Sequence, residues 1–289
     1  MAVQTEFALV LGGGGVTGIA WLTGVLAGLT RSGLKLPPTC RFIGTSAGSA
    51  VSADLANGVS PETLLDKQLN PENGSAETYR PYSQRDADAK NQVLFQKVNG
   101  DLVQARQRVG AFALRSDTPS LDERRRIIQA RLQHHQWPEQ PLILTAVDAQ
   151  SGDPVLLDKH NGLSLVDAVM ASCAVPGAWP CVPMNGKLLM DGGLRSMTNA
   201  DLATGSRHVL VLAPLGYSEN NPVSGHLRAE VNQLIQSGAT VDVIVPDDNA
   251  TQAIGDNVLD PAQRTSSAKA GLEQGLRIMD TLNPAWNQR

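Results

Sequence analysis

The chain has 289 residues, is 42% hydrophobic and carries a formal net charge of -4, which is enough apolar material for one large α/β domain with a substantial core. A near-neutral balance with no basic face argues against a nucleic-acid partner, and the absence of biased tracts or internal repeats excludes disordered, collagenous and solenoid classes. Cys40, Cys173 and Cys181 are an odd number with no C-x-x-C pair, so the pattern implies neither a disulfide framework nor a zinc site and reads as reduced core thiols.

The first residues lack a basic region followed by a long apolar stretch, and the glycines at 12–15 interrupt the apolar run that comes next. No stretch reaches the ~18 consecutive apolar residues of a membrane span. The expected location is therefore cytoplasmic, with any contact with lipid peripheral.

Residues 7–11 read as a short buried strand that stops at the glycines. Ile19, Leu22, Leu26 and Leu29 then form an amphipathic helical stripe, with Gly33 where a helix would stop. A second strand at 41–43 and a small-residue helix at 47–56 complete the rhythm of a parallel α/β sheet. From 60 to 120 the composition turns polar, and Leu94, Val98 and Leu102 recur every four residues, which reads as a helical insertion. Residues 121–132 carry Arg124, Arg125, Arg126 and Arg131 beside Ile127, Ile128 and Leu132, and the basic run reads as a solvated helix face, with anionic lipid headgroups as the alternative contact. Apolar runs at 142–147, 155–157, 209–212 and 241–245 read as strands buried on both faces. Residues 166–173 and the stripe Ala268, Leu272, Leu276 and Met279 read as covering helices. The expectation is a single domain over 1–289, a mainly parallel central sheet covered by helices on both faces.

Three motifs carry chemistry. Ser46 lies in Gly44-Thr45-Ser46-Ala47-Gly48, between a strand and a helix. A turn tight enough to push a serine oxygen out of the sheet edge tolerates only glycine two residues to either side, so the pattern reads as a nucleophile elbow. The second motif is the glycine loop at 12–18. Gly13, Gly15 and Gly18 match the dinucleotide fingerprint, but no acidic residue occurs from 19 to 53 to hold a ribose, and Ile19 stands where a P-loop needs Lys. An oxyanion hole made of the N–H groups of Gly13, Gly14 and Gly15 at a helix N-terminus fits better with a serine on the next strand. The third is Asp191-Gly192-Gly193, an acid at an apolar strand end, able to take the serine proton directly or to orient a histidine that does so.

In these three signatures, in this order, the chain resembles the patatin-like phospholipases. The segment from Ala171 through Pro176 and Gly177, followed by Pro180 and Pro183, is similar to the small-residue and proline segment ahead of the family's acid. The resemblance implies a three-layer patatin-like fold and a lipid acyl hydrolase acting on lipid or acyl-ester substrates. It further implies a dyad in which Asp191 is the general base for Ser46, with no histidine, metal or cofactor. Thr17 departs from the family, which commonly places Arg or Lys inside the glycine loop, and this supports an alternative: a non-catalytic lipid-binding or regulatory protein on the same fold. His208 and His226 follow Asp191 as an α/β-hydrolase triad would require, but Ser46 has only one strand before it, which that topology does not allow. His134, His135 and His160 form no metal-ligand spacing.

Overall fold

A computed structural model describes residues 5–70 and 77–287. In chain order the first elements are β1 (Phe7–Leu11), α1 (Gly15–Arg31), β2 (Arg41–Thr45) and α2 (Ala47–Ala56). Helices α3 (Pro61–Leu69), α4 (Gln84–Lys97) and α5 (Leu102–Ala113) occupy the insertion, and α6 (Leu121–Arg131) follows. The chain continues with β3 (Leu142–Asp148), β4 (Pro154–Leu157), α7 (Leu165–Ser172), β5 (Val182–Met184) and β6 (Lys187–Asp191). It closes with β7 (His208–Leu212), α8 (Leu227–Gln236), β8 (Thr240–Ile244), α9 (Asp248–Ile254) and α10 (Arg264–Ile278).

The eight strands form one mixed sheet in the order β5-β6-β3-β2-β1-β7-β8, with β4 pairing β3 off this path. The pairs from β3 through β8 are parallel, whereas β4 and β6 run antiparallel to β3, and β5 antiparallel to β6. Successive residues of β1 serve opposite cores: Phe7, Leu9 and Leu11 join the larger cluster, while Ala8 and Val10 join a second one with Leu227 and Leu234 of α8. Helices thus cover both faces, as a sheet buried on two sides requires. β4 departs from that expectation: its residues alternate exposed and buried, and Leu156 is exposed.

Pairing register positions the site. Thr145 of β3 pairs with both Thr45 of β2 and Leu156 of β4, so β2 and β4 flank β3 on opposite edges. Ala146 pairs with both Val155 of β4 and Asp191 of β6, so β6 lies on the same edge as β2. The two strands therefore abut along β3, with Thr45 opposite one residue and Asp191 opposite the next.

Helix α1 is not the one-faced helix its leucine stripe predicts, because every residue from Val16 to Leu29 is buried. Its second face packs on α10 through glycines at i and i+4 on both helices. A Cβ on Gly24 would lie 2.2 Å from the Ala268 carbonyl oxygen, and one on Gly275 would lie 2.4 Å from that of Val25. Leu276, expected in the covering stripe of α10, is 46% exposed because the glycines, rather than the leucines, form the contact.

The basic stretch of α6 also differs from expectation. Arg124 and Arg131 are buried. They fall with Ile127 and Ile128 at i, i+3, i+4 and i+7, so all four share the inward face. Arg131 forms a two-pronged pair with Glu77 at 2.9 and 3.1 Å, and Arg124 lies 3.8 Å from the ring centroid of Trp179.

Candidate active site

Ser46 is the first residue after β2, with φ 51° and ψ -115°. A non-glycine residue at positive φ is strained and is held only where surrounding packing over-determines it. Here the chain must turn from strand to helix with no room on either side. A Cβ on Gly44 would sit 2.6 Å from the Cα of Ser49, and one on Gly48 would sit 1.9 Å from the carbonyl oxygen of Leu11.

The abutting strands bring Asp191 to this turn. Ser46 Oγ donates to Asp191 Oδ2 at 2.7 Å, and Gly193 N–H donates to Asp191 Oδ1 at 2.8 Å. Both oxygens of the carboxylate are therefore engaged. Ser46 is 6% exposed and Asp191 4%. Burial pushes the Asp191 carboxyl up to about 6, while the Ser46 hydroxyl, the Gly193 N–H and the Arg124 guanidinium pull it back towards ionisation. A carboxylate with this value is ionised at neutral pH yet far more basic than a solvated aspartate, which is the condition for a general base.

The segment after α7 ties the two residues together. Ser46 N–H donates to Ser172 Oγ at 3.0 Å, the Cys173 thiol donates to the Ser46 carbonyl at 3.1 Å, and Asp191 N–H donates to the Ala174 carbonyl at 3.0 Å. The Cys173 thiol is pushed up by burial, so it stays protonated and serves as a donor. On the opposite side Asn199 donates to Thr45 Oγ1 at 3.0 Å and to the Ser196 carbonyl at 2.6 Å, bracing the end of β2.

The glycine loop contributes two free donors rather than three. Gly13 N–H donates to the Met197 carbonyl at 2.8 Å, so it is already occupied. The N–H groups of Gly14 and Gly15 have no acceptor among the described residues and open the first turn of α1, where backbone donors are unsatisfied by construction. Gly13 lies against the nucleophile, where a Cβ would reach van der Waals contact with that of Ser46 at 3.4 Å. Gly15 takes φ 61°, and a Cβ would meet the Val258 carbonyl oxygen at 2.3 Å.

Ser46, Asp191 and Gly13 to Gly15 line one cavity of about 910 Å³, near the upper end of the range usual for ligand sites. Its far wall is built by the insertion, with Leu94 from α4 and Val109 and Phe112 from α5. Among the described residues no group of three or more His, Cys, Asp or Glu is placed to hold a metal.

The sequence matches the family described as patatin-like phospholipase over residues 9–204. The chain belongs to that family. No curated protein matches it. Among solved structures it is similar to VipD from Legionella pneumophila at 13% identity and TM-score 0.43, covering 97% of this chain and 67% of that one. It is also similar to the type III effector ExoU at 16% identity and TM-score 0.42, covering 96% of this chain and 53% of that one. ExoU in its complex with SpcU from Pseudomonas aeruginosa gives 17% identity and TM-score 0.35, covering 94% and 52%. The chain thus spans about half the length of the ExoU chains.

The patatin-like signatures meet in space: elbow, glycine loop and acid motif all line the cavity. Thr17, where the family commonly has a cation, is fully buried, and its hydroxyl has no partner among the described residues. The cations that line the cavity come instead from the insertion, as Lys90 and Arg108. Among the described residues no histidine lines it. His208 stacks on Phe7 at 5.0 Å, and the His226 ring lies 3.0 Å from the Val223 carbonyl. The sequence reading missed Ser172, Asn199 and the two arginines of α6. Ser172 lies within the small-residue segment compared with the family but carries no mark of its own contact with Ser46, and Asn199 is an isolated polar residue, whereas the stripe of α6 is readable in its spacing.

Proposed function

We propose that this patatin-like protein is a serine lipid acyl hydrolase of the phospholipase A or carboxylesterase kind, working through a Ser46/Asp191 dyad. The observation that carries the reading is the 2.7 Å hydrogen bond from Ser46 Oγ to an aspartate whose value of about 6 suits a base at neutral pH. Asp191 Oδ2 takes the Ser46 proton as Oγ attacks the ester carbonyl. The tetrahedral oxyanion receives the N–H groups of Gly14 and Gly15, where one such donor is worth about 3 kcal/mol in the transition state. Collapse breaks the bond to the leaving alkoxide, which takes the proton from Asp191. Water then attacks the acyl-serine, gives its proton to Asp191, and the acid leaves as the proton returns to Ser46.

The wall formed by α4 and α5 is the face we assign to a lipid surface. Val93 and Val103 on these helices, Phe112 and Leu114 at the end of α5, and Tyr79 ahead of α4 are exposed large hydrophobics, and Tyr79 and Phe112 also line the cavity. Exposed Lys90 and Arg108 stand beside them. Among the described residues no helix is long and apolar enough to cross a membrane, so this contact is peripheral.

The test is Ser46→Ala, assayed for hydrolysis of a p-nitrophenyl ester and for labelling by a fluorophosphonate, which reacts quickly only with an activated serine. Both signals vanish in the folded variant if the reading is right, whereas His208→Ala and His226→Ala keep turnover within a few-fold. Activity that survives Ser46→Ala refutes it.

A further inference from the structure

Arg124 is a buried charge that the proposed reaction does not touch. It is 2% exposed. Its guanidinium carbon lies 3.8 Å from the ring centroid of Trp179, and Nη2 donates to the Cys173 carbonyl at 3.5 Å. Nε and Nη1 have no hydrogen-bond partner among the described residues. A cation on an indole face is held firmly when desolvated, but the ring does not neutralise it. Burying such a charge without a counter-ion is among the costliest arrangements in a protein, so a compensating carboxylate has to lie nearby.

Two carboxylates attract it electrostatically. Glu77 is already bound through both oxygens to Arg131. The other is Asp191, which is coupled to Arg124 through the electrostatic attraction each exerts on the other. Hydrogen bonds to two adjacent carbonyls anchor both on one segment: Arg124 Nη2 donates to the carbonyl of Cys173, and the Asp191 backbone N–H donates to that of the next residue, Ala174. We propose that Arg124 is a positioning residue of the dyad, a guanidinium fixed on Trp179 and the Cys173 carbonyl whose field holds Asp191 as the carboxylate that Ser46 needs.

The other groups around Asp191 do not substitute for it. From the elbow comes the neutral Ser46 hydroxyl, and from the following turn the Gly193 N–H. From the segment after α7 comes Cys173, a protonated thiol, and from the strap before α4 comes Tyr82, whose phenol burial pushes up and keeps neutral. Arg131 is occupied by Glu77. Lys90, Arg108 and Asp86 line the same cavity but are exposed, where water screens them. Burial and Arg131 pull the Arg124 guanidinium down to about 9, which leaves it charged at neutral pH.

The sign of the effect is specific. Removing the cation favours the protonated, inactive form of Asp191, so the acid limb of activity moves to higher pH. Above that limb the base is no weaker than before, and the rate is retained. A purely structural role would lower the rate at every pH. The experiment measures the rate of fluorophosphonate labelling of Ser46 from about pH 5 to about pH 9 in wild type, Arg124→Met, Arg124→Gln and Arg124→Lys, with thermal melts alongside. Labelling of the wild-type protein is expected to rise with a midpoint near 6. The neutral variants shift that midpoint up by about half a unit or more, losing roughly threefold in rate near the wild-type midpoint and little at the top of the range. The lysine variant, which keeps the charge, stays within a few tenths of wild type. The inference rests on the dyad: a wild-type protein that does not label refutes the dyad itself, whereas labelling with an unmoved midpoint in a folded neutral variant refutes only the role of Arg124. A midpoint displaced as far in Arg124→Lys as in Arg124→Met overturns it, as does loss of folding in both neutral variants but not in the lysine variant.

Discussion

Replacing Asp191 by Asn separates the chemistry of the site from its contribution to folding. The carboxyl moves from an ordinary value of 3.8 to about 6 on burial, so the folded protein holds its proton more tightly than the unfolded chain. A raised value means that this group favours folding most below the unfolded value, and that the contribution is lost as pH rises towards the folded one. A shift of about two units corresponds to roughly 3 kcal/mol, the cost of keeping the charge in place at neutral pH. Asn keeps an oxygen for the Gly193 N–H and an amide for Ser46 without carrying that charge. Asp191→Asn should therefore be more stable than wild type by up to about 3 kcal/mol at pH 7.5 and nearly equal to it at pH 4, while turnover falls by about 10³-fold. Urea denaturation of both proteins across this range reads the difference directly. Asp54, also buried and also pushed up to about 6, titrates in both and cancels. A stability difference independent of pH, or one favouring Asp191 at neutral pH, would refute the reasoning.

Three other outcomes follow from the packing and the surface. Gly48→Ala places a methyl 1.9 Å from the Leu11 carbonyl oxygen, with the elbow unable to retreat, and should cost about 3 kcal/mol or more in chemical denaturation. Arg131→Met removes the two-pronged partner of Glu77, whose side chain is 3% exposed, and should cost about 3 kcal/mol at neutral pH, read by chemical denaturation. Phe112→Asp, made in the Ser46→Ala background, should lower sedimentation with anionic vesicles without changing the melting temperature, since Phe112 is 54% exposed; unchanged sedimentation would remove this face from the membrane contact.

The motifs and the strands other than the three-residue β5 are legible because each rests on a few contiguous residues with a clear apolar or steric pattern. The glycines at 44 and 48 flank a serine that has no other way to turn, and the glycines at 14 and 15 approach Pro214 and Val258 too closely for any side chain. What the motifs did not show is how distant backbone is used. Gly13 N–H is engaged by Met197, far along the chain, and no local pattern in the loop distinguishes it from its two neighbours. Arg124 and Arg131 leave the solvated face that Arg126 keeps, for a different reason. Position outranks charge here, since Arg124, Ile127, Ile128 and Arg131 repeat with the period of a buried helical face. The all-round burial of α1 had a readable signal too, in glycines spaced by four on α1 and again on α10, which let two helices approach until backbone meets backbone.

The directness of the Ser46 to Asp191 contact bears on the choice between dyad and triad. In a triad an imidazole stands between the hydroxyl and the acid, and one carboxylate oxygen must be free to orient it. Here β2 and β6 abut along the same edge of β3, so the residues at their ends are neighbours through backbone register alone. Asp191 Oδ2 accepts directly from Ser46 and Oδ1 from the Gly193 N–H, and among the described residues no histidine lines the cavity to stand between them. A sheet register that fixes this distance favours the proposed dyad, in which the buried carboxylate, pushed up to about 6, would serve as base without a relay.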